Sequence, residues 1–188
     1  MTLPTLEKIQ KRLGSLVADA IAFDGVVYRS STPEYASASD LISGIGSKLH
    51  VQRWNPAGIA VVYASLTPEA AMMETLAHYR YFGIPIEDAM PRMFVAIQVK
   101  VSSVLDLRGP ESVRRLGVSK RVLLTTDWRW ELLTGLLSIS QMIGSAAFNL
   151  GVEGLLVPSV AERKGTNLLL FPENLLKDSK VSVLGLSK

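Results

Sequence analysis

The 188-residue chain contains no cysteine and only two histidines, His50 and His78. The first absence excludes a disulfide scaffold, thiolate metal sites and cysteine nucleophiles. The second leaves too few ligands for a histidine-centred metal site or triad, and both histidines read as structural or surface residues. No apolar run reaches the ~18 residues of a membrane span. The N-terminal stretch mixes charges with apolar residues at helical spacing, unlike a secretory signal. Neither charge sign dominates: 20 Lys+Arg face 17 Asp+Glu, a formal net charge of +3. The basic residues come as isolated pairs such as Lys11-Arg12, Arg114-Arg115 and Lys120-Arg121, which is no footprint for nucleic acid. The G-x-x-x-x-G-K-[ST], G-x-G-x-x-G, G-x-S-x-G and H-E-x-x-H motifs are all missing, which excludes ATP binding by a P-loop. The expectation is a soluble, cytoplasmic protein with no metal and no direct membrane or nucleic-acid partner.

A hydrophobic share of 48% and a charged share of 20% are those of a chain that folds around a core. Over residues 4–22, Leu6, Ile9, Leu13, Leu16, Val17 and Ala20 recur at three- and four-residue intervals and predict an amphipathic helix. Val26 to Arg29 reads as a short strand, and the Ser/Pro/Asp/Gly-rich stretch from Ser30 to Ser47 as a loop with room for a helical turn. Ile59 to Ala64 is nearly all apolar and β-branched, the pattern of a buried strand. Thr67 as N-cap and Pro68 at the first position open a helix that runs to about Tyr81, where Gly83 stops it. Met93 to Val101 is a strand, and Pro110 to Leu116 a helix. Thr134 to Leu150 is apolar nearly all round and predicts a buried helix capped by Gly151. Strands over Glu153 to Ser159 and Thr166 to Pro172 follow, with a last edge strand over Lys180 to Leu184. No linker or repeat interrupts the chain, so residues 1–188 are expected to form one α+β domain.

Five polar residues sit where rigid elements can present them to a cleft. Arg29 ends the first strand, Arg53 precedes a turn, Tyr63 ends a buried strand, Glu74 lies on the next helix and Ser159 ends a later strand. At 100° per residue, Glu74 flanks the face made by Ala70, Met73, Ala77 and Tyr81, bordering the core. A carboxylate there pairs with a cation or has its pKa perturbed, both common at functional sites. The partner is Arg29 or Arg53. One reading is a structural Arg–Glu pair between strand and helix. The other is a ligand site, because a guanidinium's planar fork binds phosphate oxygens bidentately and keeps its charge when desolvated. In that reading Tyr63 or Trp54 stacks a ring, and in the structural one they pack in the core. Gln141, alone among apolar neighbours, must find hydrogen-bond partners and stands either as a structural residue or behind the site.

Taken together, Tyr28-Arg29, Arg53-Trp54-Asn55-Pro56-x-Gly58, Val62-Tyr63-Ala64-Ser65, Glu74, Gly154-Leu155-Leu156-Val157-Pro158-Ser159 and Asn167-Leu168 resemble the RES-domain family. The resemblance covers a core of about 26–172 and leaves the 4–22 helix as an N-terminal extension that self-associates or covers the site. It implies a mixed sheet core similar to ADP-ribosyltransferases, flanked by helices. It implies the toxin half of a bacterial toxin–antitoxin pair, with NAD as substrate and a separate Xre-like antitoxin as partner, and a homodimer is common in the family. Carried over, Glu74 is the catalytic carboxylate. Arg29 and Arg53 bind the NAD phosphates, Arg53 also serving catalysis, while Tyr63 faces the nicotinamide, Ser159 supports the ribose or its arginine, and Tyr28 and Asn167 complete the NAD-binding set. Family members often carry small glycines before Arg-Trp, where this chain has His50-Val51-Gln52. Three readings follow: an NAD-degrading toxin working by hydrolysis or phosphorolysis, an ADP-ribosyltransferase acting on one protein, and a non-enzymatic module that binds a nucleotide or a partner.

Overall fold

The computed structural model describes residues 3–185. In chain order its helices and strands are α1 (Leu6–Gly14), β1 (Ile21–Ser31), α2 (Ala38–Ser43), α3 (Ile45–Leu49), β2 (Val62–Ser65), α4 (Pro68–Tyr81), β3 (Met93–Asp106), α5 (Pro110–Arg115), α6 (Lys120–Thr125), α7 (Trp128–Leu133), α8 (Ile139–Asn149), β4 (Gly154–Pro158), β5 (Thr166–Leu170) and β6 (Lys180–Val183). The strand order is β1-β2-β5-β4-β3-β6, and β1 also pairs with β3, so five strands close on themselves and β6 lies outside the ring. Closure satisfies both edges of those five strands, whose backbone groups would otherwise stand unpaired. All pairings are antiparallel except β3 with β4, which the chain reaches through α5 to α8.

Side-chain alternation along the strands divides the interior into two cores. On β4, Leu155 and Val157 join the core under the helices while Leu156 joins the core inside the strand ring. On β5, Leu169 points to the first and Leu168 and Leu170 to the second. Ile9 and Leu13 of α1 and Ile143, Ala146 and Ala147 of α8 belong to the helical core. The apolar stripe of α1 is therefore consumed inside the protein. None of its residues lines the cavity where β1, β2 and α4 meet.

The predicted helix over 4–22 is shorter than its periodicity: α1 stops at Gly14, and Ile21 already stands in β1. Pairing decides this, since Ile21 to Ser31 runs antiparallel to β3 from Val104 down to Met93. A strand completing a ring outweighs a local spacing that would equally continue a helix. The predicted loop over 30–47 contains α2, with Ser37 accepting from the Asp40 backbone N–H, and the start of α3. The helix over 68–81 is found at its predicted limits, with Thr67 capping the Ala70 N–H. The buried helix begins later than expected, at Ile139, because Ser138 and Gln141 form a reciprocal capping box there. Among the described residues no helix is long and apolar enough to cross a membrane.

Candidate active site

A cavity of about 610 Å³ opens where β1, β2, α4 and the segment 46–54 meet, and α7 contributes one wall. Its size falls within the range of small-molecule sites, roughly 300–1,000 Å³. Tyr28, Arg29, Arg53, Tyr63, Glu74 and Asn167 all line it, so six of the seven residues singled out from the sequence converge on one space. The seventh, Ser159, is buried behind Glu74.

Glu74 stands in the middle of α4, which packs against β1 and β2. Its Oε1 accepts from Ser159 Oγ at 2.6 Å and from Asn167 Nδ2 at 2.7 Å. Asn167 is in turn oriented by Ser65 Oγ, which donates to its Oδ1 at 2.7 Å. No described group hydrogen-bonds Oε2. The carboxylate is thus fixed through one oxygen and presents the other to the cavity. The expected Arg–Glu ion pair does not form, and none of the five ion pairs among the described residues involves Glu74, Arg29 or Arg53. Neutral donors have taken the place of the cation, which leaves both arginines available to a ligand.

Arg29 is anchored through Nη1 to the Leu41 carbonyl at 2.7 Å, and burial lowers its pKa. Arg53 makes only a long contact from Nη1 to the Leu123 carbonyl, 3.5 Å. Burial lowers its pKa most, the charge of Glu74 acts against that, and the charge of Arg129 adds to it. Two partly desolvated guanidiniums, neither in an ion pair, carry a desolvation cost that an anionic ligand would offset.

The loop holding Arg53 is built from both sides. Trp54 is 4% exposed and packs in the helical core, and it also lines the cavity. Tyr63 accepts from the Trp54 N–H at 3.1 Å and donates to Asn55 Oδ1 at 2.7 Å. Burial raises the pKa of the Tyr63 phenol well above its usual value, so the phenol stays protonated and keeps donating. Asn55 itself is wholly buried and donates to the carbonyls of Ser47, Pro56 and Ile59. On the opposite side Gln141 donates from Nε2 to the Gln52 carbonyl at 3.0 Å. Gly144 of α8 lets the chain pass, since a Cβ there would run into the Trp54 carbonyl oxygen. These supports hold Arg53 at the cavity although His50-Val51-Gln52 replaces the small residues expected before it. Gln141 is thus both a capping-box residue of α8 and a donor to the loop that carries Arg53.

Sequence reasoning missed the α7 wall. Trp128, Arg129 and Tyr81 line the cavity, and so do His50 and His78, for which the sequence suggests only structural or surface roles. The available signal was the run Asp127-Trp128-Arg129-Trp130, an N-cap followed by an arginine between two tryptophans, like Arg53-Trp54. His78 is kept largely neutral, its pKa lowered by burial first and then by the charges of Arg129 and Arg92.

Comparison with known proteins places this architecture. The chain is 32% identical over 152 residues to the Prs ADP-ribosylating toxin of Sphingobium sp. (strain YBL2), covering 77% of this chain and 81% of the relative. A chain of the crystal structure of the M. tuberculosis MbcT-MbcA toxin-antitoxin complex superposes with a TM-score of 0.74 over 95% of this chain and 91% of its own, at 21% identity, a likeness of fold. The RES domain model matches residues 19–184, from the turn before β1 through β6, and the chain accordingly belongs to the RES-domain family.

Proposed function

We propose that the protein is the toxin of a toxin–antitoxin pair and that it cleaves the nicotinamide–ribose bond of NAD. The observation that carries this reading is Glu74, fixed through one oxygen by Ser159 and Asn167 and open through the other to a cavity that also holds Arg29 and Arg53. Departure of nicotinamide takes the bonding electron pair to the pyridine nitrogen and leaves an oxocarbenium-like ribose. A carboxylate aimed at that ribose stabilises the developing positive charge more than the bound substrate, which is what lowers a barrier. Arg29 and Arg53 hold the diphosphate, so binding energy from a non-reacting part of the substrate positions the scissile bond. Water or inorganic phosphate then bonds to C1, giving ADP-ribose or its 1-phosphate and releasing a proton.

A second reading, transfer of ADP-ribose to a protein side chain, is supported by the 32% identical relative, an ADP-ribosylating toxin. Both readings share the first step and the same residues. A separate antitoxin is the expected partner. Its support is the structural neighbour, which comes from a toxin-antitoxin complex, together with the apolar surface of α7, where Trp130 is 63% and Leu133 80% exposed.

The test is incubation of the purified protein with NAD, with and without phosphate, following nicotinamide, ADP-ribose and ADP-ribose 1-phosphate by chromatography. Turnover without phosphate assigns a hydrolase, and turnover only with phosphate a phosphorylase. Intact NAD in both, with label from NAD appearing on one protein of a cell extract, assigns a transferase. Intact NAD and no labelled protein would overturn the enzymatic reading.

A further inference from the structure

Arg129 has no role in the proposed reaction, yet its side chain is the most elaborately seated cation of the cavity. Its Cζ lies 4.4 Å from the ring centroids of both Tyr81 and Trp128 and 5.6 Å from that of Phe82. Such contacts hold a guanidinium in place while leaving its in-plane N–H groups free to donate. The one nearby carboxylate is occupied elsewhere: Asp127 accepts from the Arg129 and Trp130 backbone N–H groups and from the Tyr81 hydroxyl. No ion pair among the described residues includes Arg129, and its only side-chain hydrogen-bond contact is a long one, 3.4 Å from Nη2 to His78 Nδ1.

Arg53 lines the same cavity and likewise forms no ion pair, although the charges of Glu74 and Asp127 act on it. Two guanidiniums that line one space, neither closed into an ion pair and the charge of Arg129 felt at Arg53, are arranged for a doubly charged group to meet both. We infer that Arg129 is a further binding residue of this site and that it clamps a phosphate group together with Arg53. This deepens the proposed function and rests on it for the identity of the cavity's ligand, because the phosphate can come from the diphosphate of the dinucleotide or from free phosphate.

The experiment uses the full chain and two variants, Arg129→Ala and Arg129→Lys, with binding of ADP-ribose and of inorganic phosphate measured separately by calorimetry. The lysine keeps a cation among the three rings but loses the planar two-pronged fork. The expected result is a tenfold or greater loss of affinity in Arg129→Ala, only partly recovered in Arg129→Lys, while the lysine variant without ligand melts as the wild type does. Loss confined to ADP-ribose assigns the clamp to the diphosphate, and loss confined to inorganic phosphate assigns it to an acceptor phosphate. Wild-type affinity of Arg129→Ala for both, or no binding of either anion by the wild type, overturns the inference. Failure of the proposed function is distinguishable, since intact NAD would leave an Arg129-dependent affinity for ADP-ribose in place.

Discussion

Glu74 and Glu153 are two carboxylates in partly or fully buried positions, and they are treated in opposite ways. Glu153 is 0% exposed, and both of its oxygens are occupied. Oε2 accepts from the Ser102 N–H, the Ser102 hydroxyl and the Ser103 N–H at 2.8, 3.1 and 2.9 Å, and Oε1 from the Leu176 N–H and the Ser179 hydroxyl. It ties β3 and the segment leading to β6 to the start of β4, and no bonding capacity is left over. Glu74 has one oxygen held and the other open to a cavity walled by arginines. Burial and hydrogen bonding alone therefore do not single out a candidate catalytic carboxylate; what sets Glu74 apart is an oxygen left without a partner on the cavity that Arg29 and Arg53 also line.

The sharpest way to break this comparison is to neutralise each carboxylate in turn. Glu74→Gln is expected to lower turnover about 10³-fold, within the range for loss of a charge-stabilising group, with melting temperature nearly unchanged. Wild-type turnover in that variant would remove Glu74 from the chemistry. Glu153→Ala should do the reverse. It orphans buried donors at a cost of about 3 kcal/mol, a fall in melting temperature of roughly 6–12 °C for a chain of this size, with the specific activity of the folded fraction kept.

A third, smaller effect comes from Gly144→Ala. The added methyl must push the Trp54 carbonyl away from α8, costing roughly 1–3 kcal/mol as overpacking does. It should also raise the KM for NAD more than it lowers kcat, because the displaced loop carries Arg53. Equal KM values in the two proteins would show that the loop does not position the binding arginine.

The smallest effects are in the pH dependence of stability, where both groups lose stability toward acid but in different windows. For Glu153, burial alone would raise the pKa, but the hydrogen bonds from Ser179, the Ser102 N–H and the Leu176 N–H outweigh it and hold the carboxyl below its usual 4.5. A depressed carboxyl contributes stability above its unfolded value that is lost as pH falls through its folded value. Denaturant titrations below about pH 4.5 should therefore show a fall in stability that Glu153→Gln flattens. His78 has its pKa lowered from 6.5 by burial and by the charges of Arg129 and Arg92. The unfolded chain then binds the extra proton, so stability falls as pH drops below about 6.5, and the slope should vanish in His78→Gln. A slope unchanged by that substitution would assign the titration to another group.

Much of the site was legible because it is carried by element ends and turn chemistry. Thr67-Pro68 and the spacing to Glu74 fix a helix by local capping and periodicity, and that helix appears at its expected limits. Arg29, Tyr63 and Asn167 lie within β1, β2 and β5, whose apolar pattern is strong, and Arg53 sits in the turn between Gln52 and Asn55. The limits of α1 and β1 were not legible, since Ile21 to Phe23 fits a helical face as well as a strand, and only pairing with β3 separates the two. The α7 wall was missed for a related reason: a six-residue helix has too few turns to show a period, and what makes Arg129 significant is its distance to rings on another element.

The sequence by itself determined the class of fold, the positions of most strands and the residue types available for chemistry, because periodicity, capping and composition act over a few neighbouring residues. The tertiary structure alone decided the partners of those residues. Glu74 is bound by Ser159 and Asn167, 85 and 93 residues away, rather than by an arginine. The reason is physical: a hydrogen bond or an ion pair depends on distances of a few ångströms, and for residues far apart in the chain those distances are set only when the strands close and the helices pack.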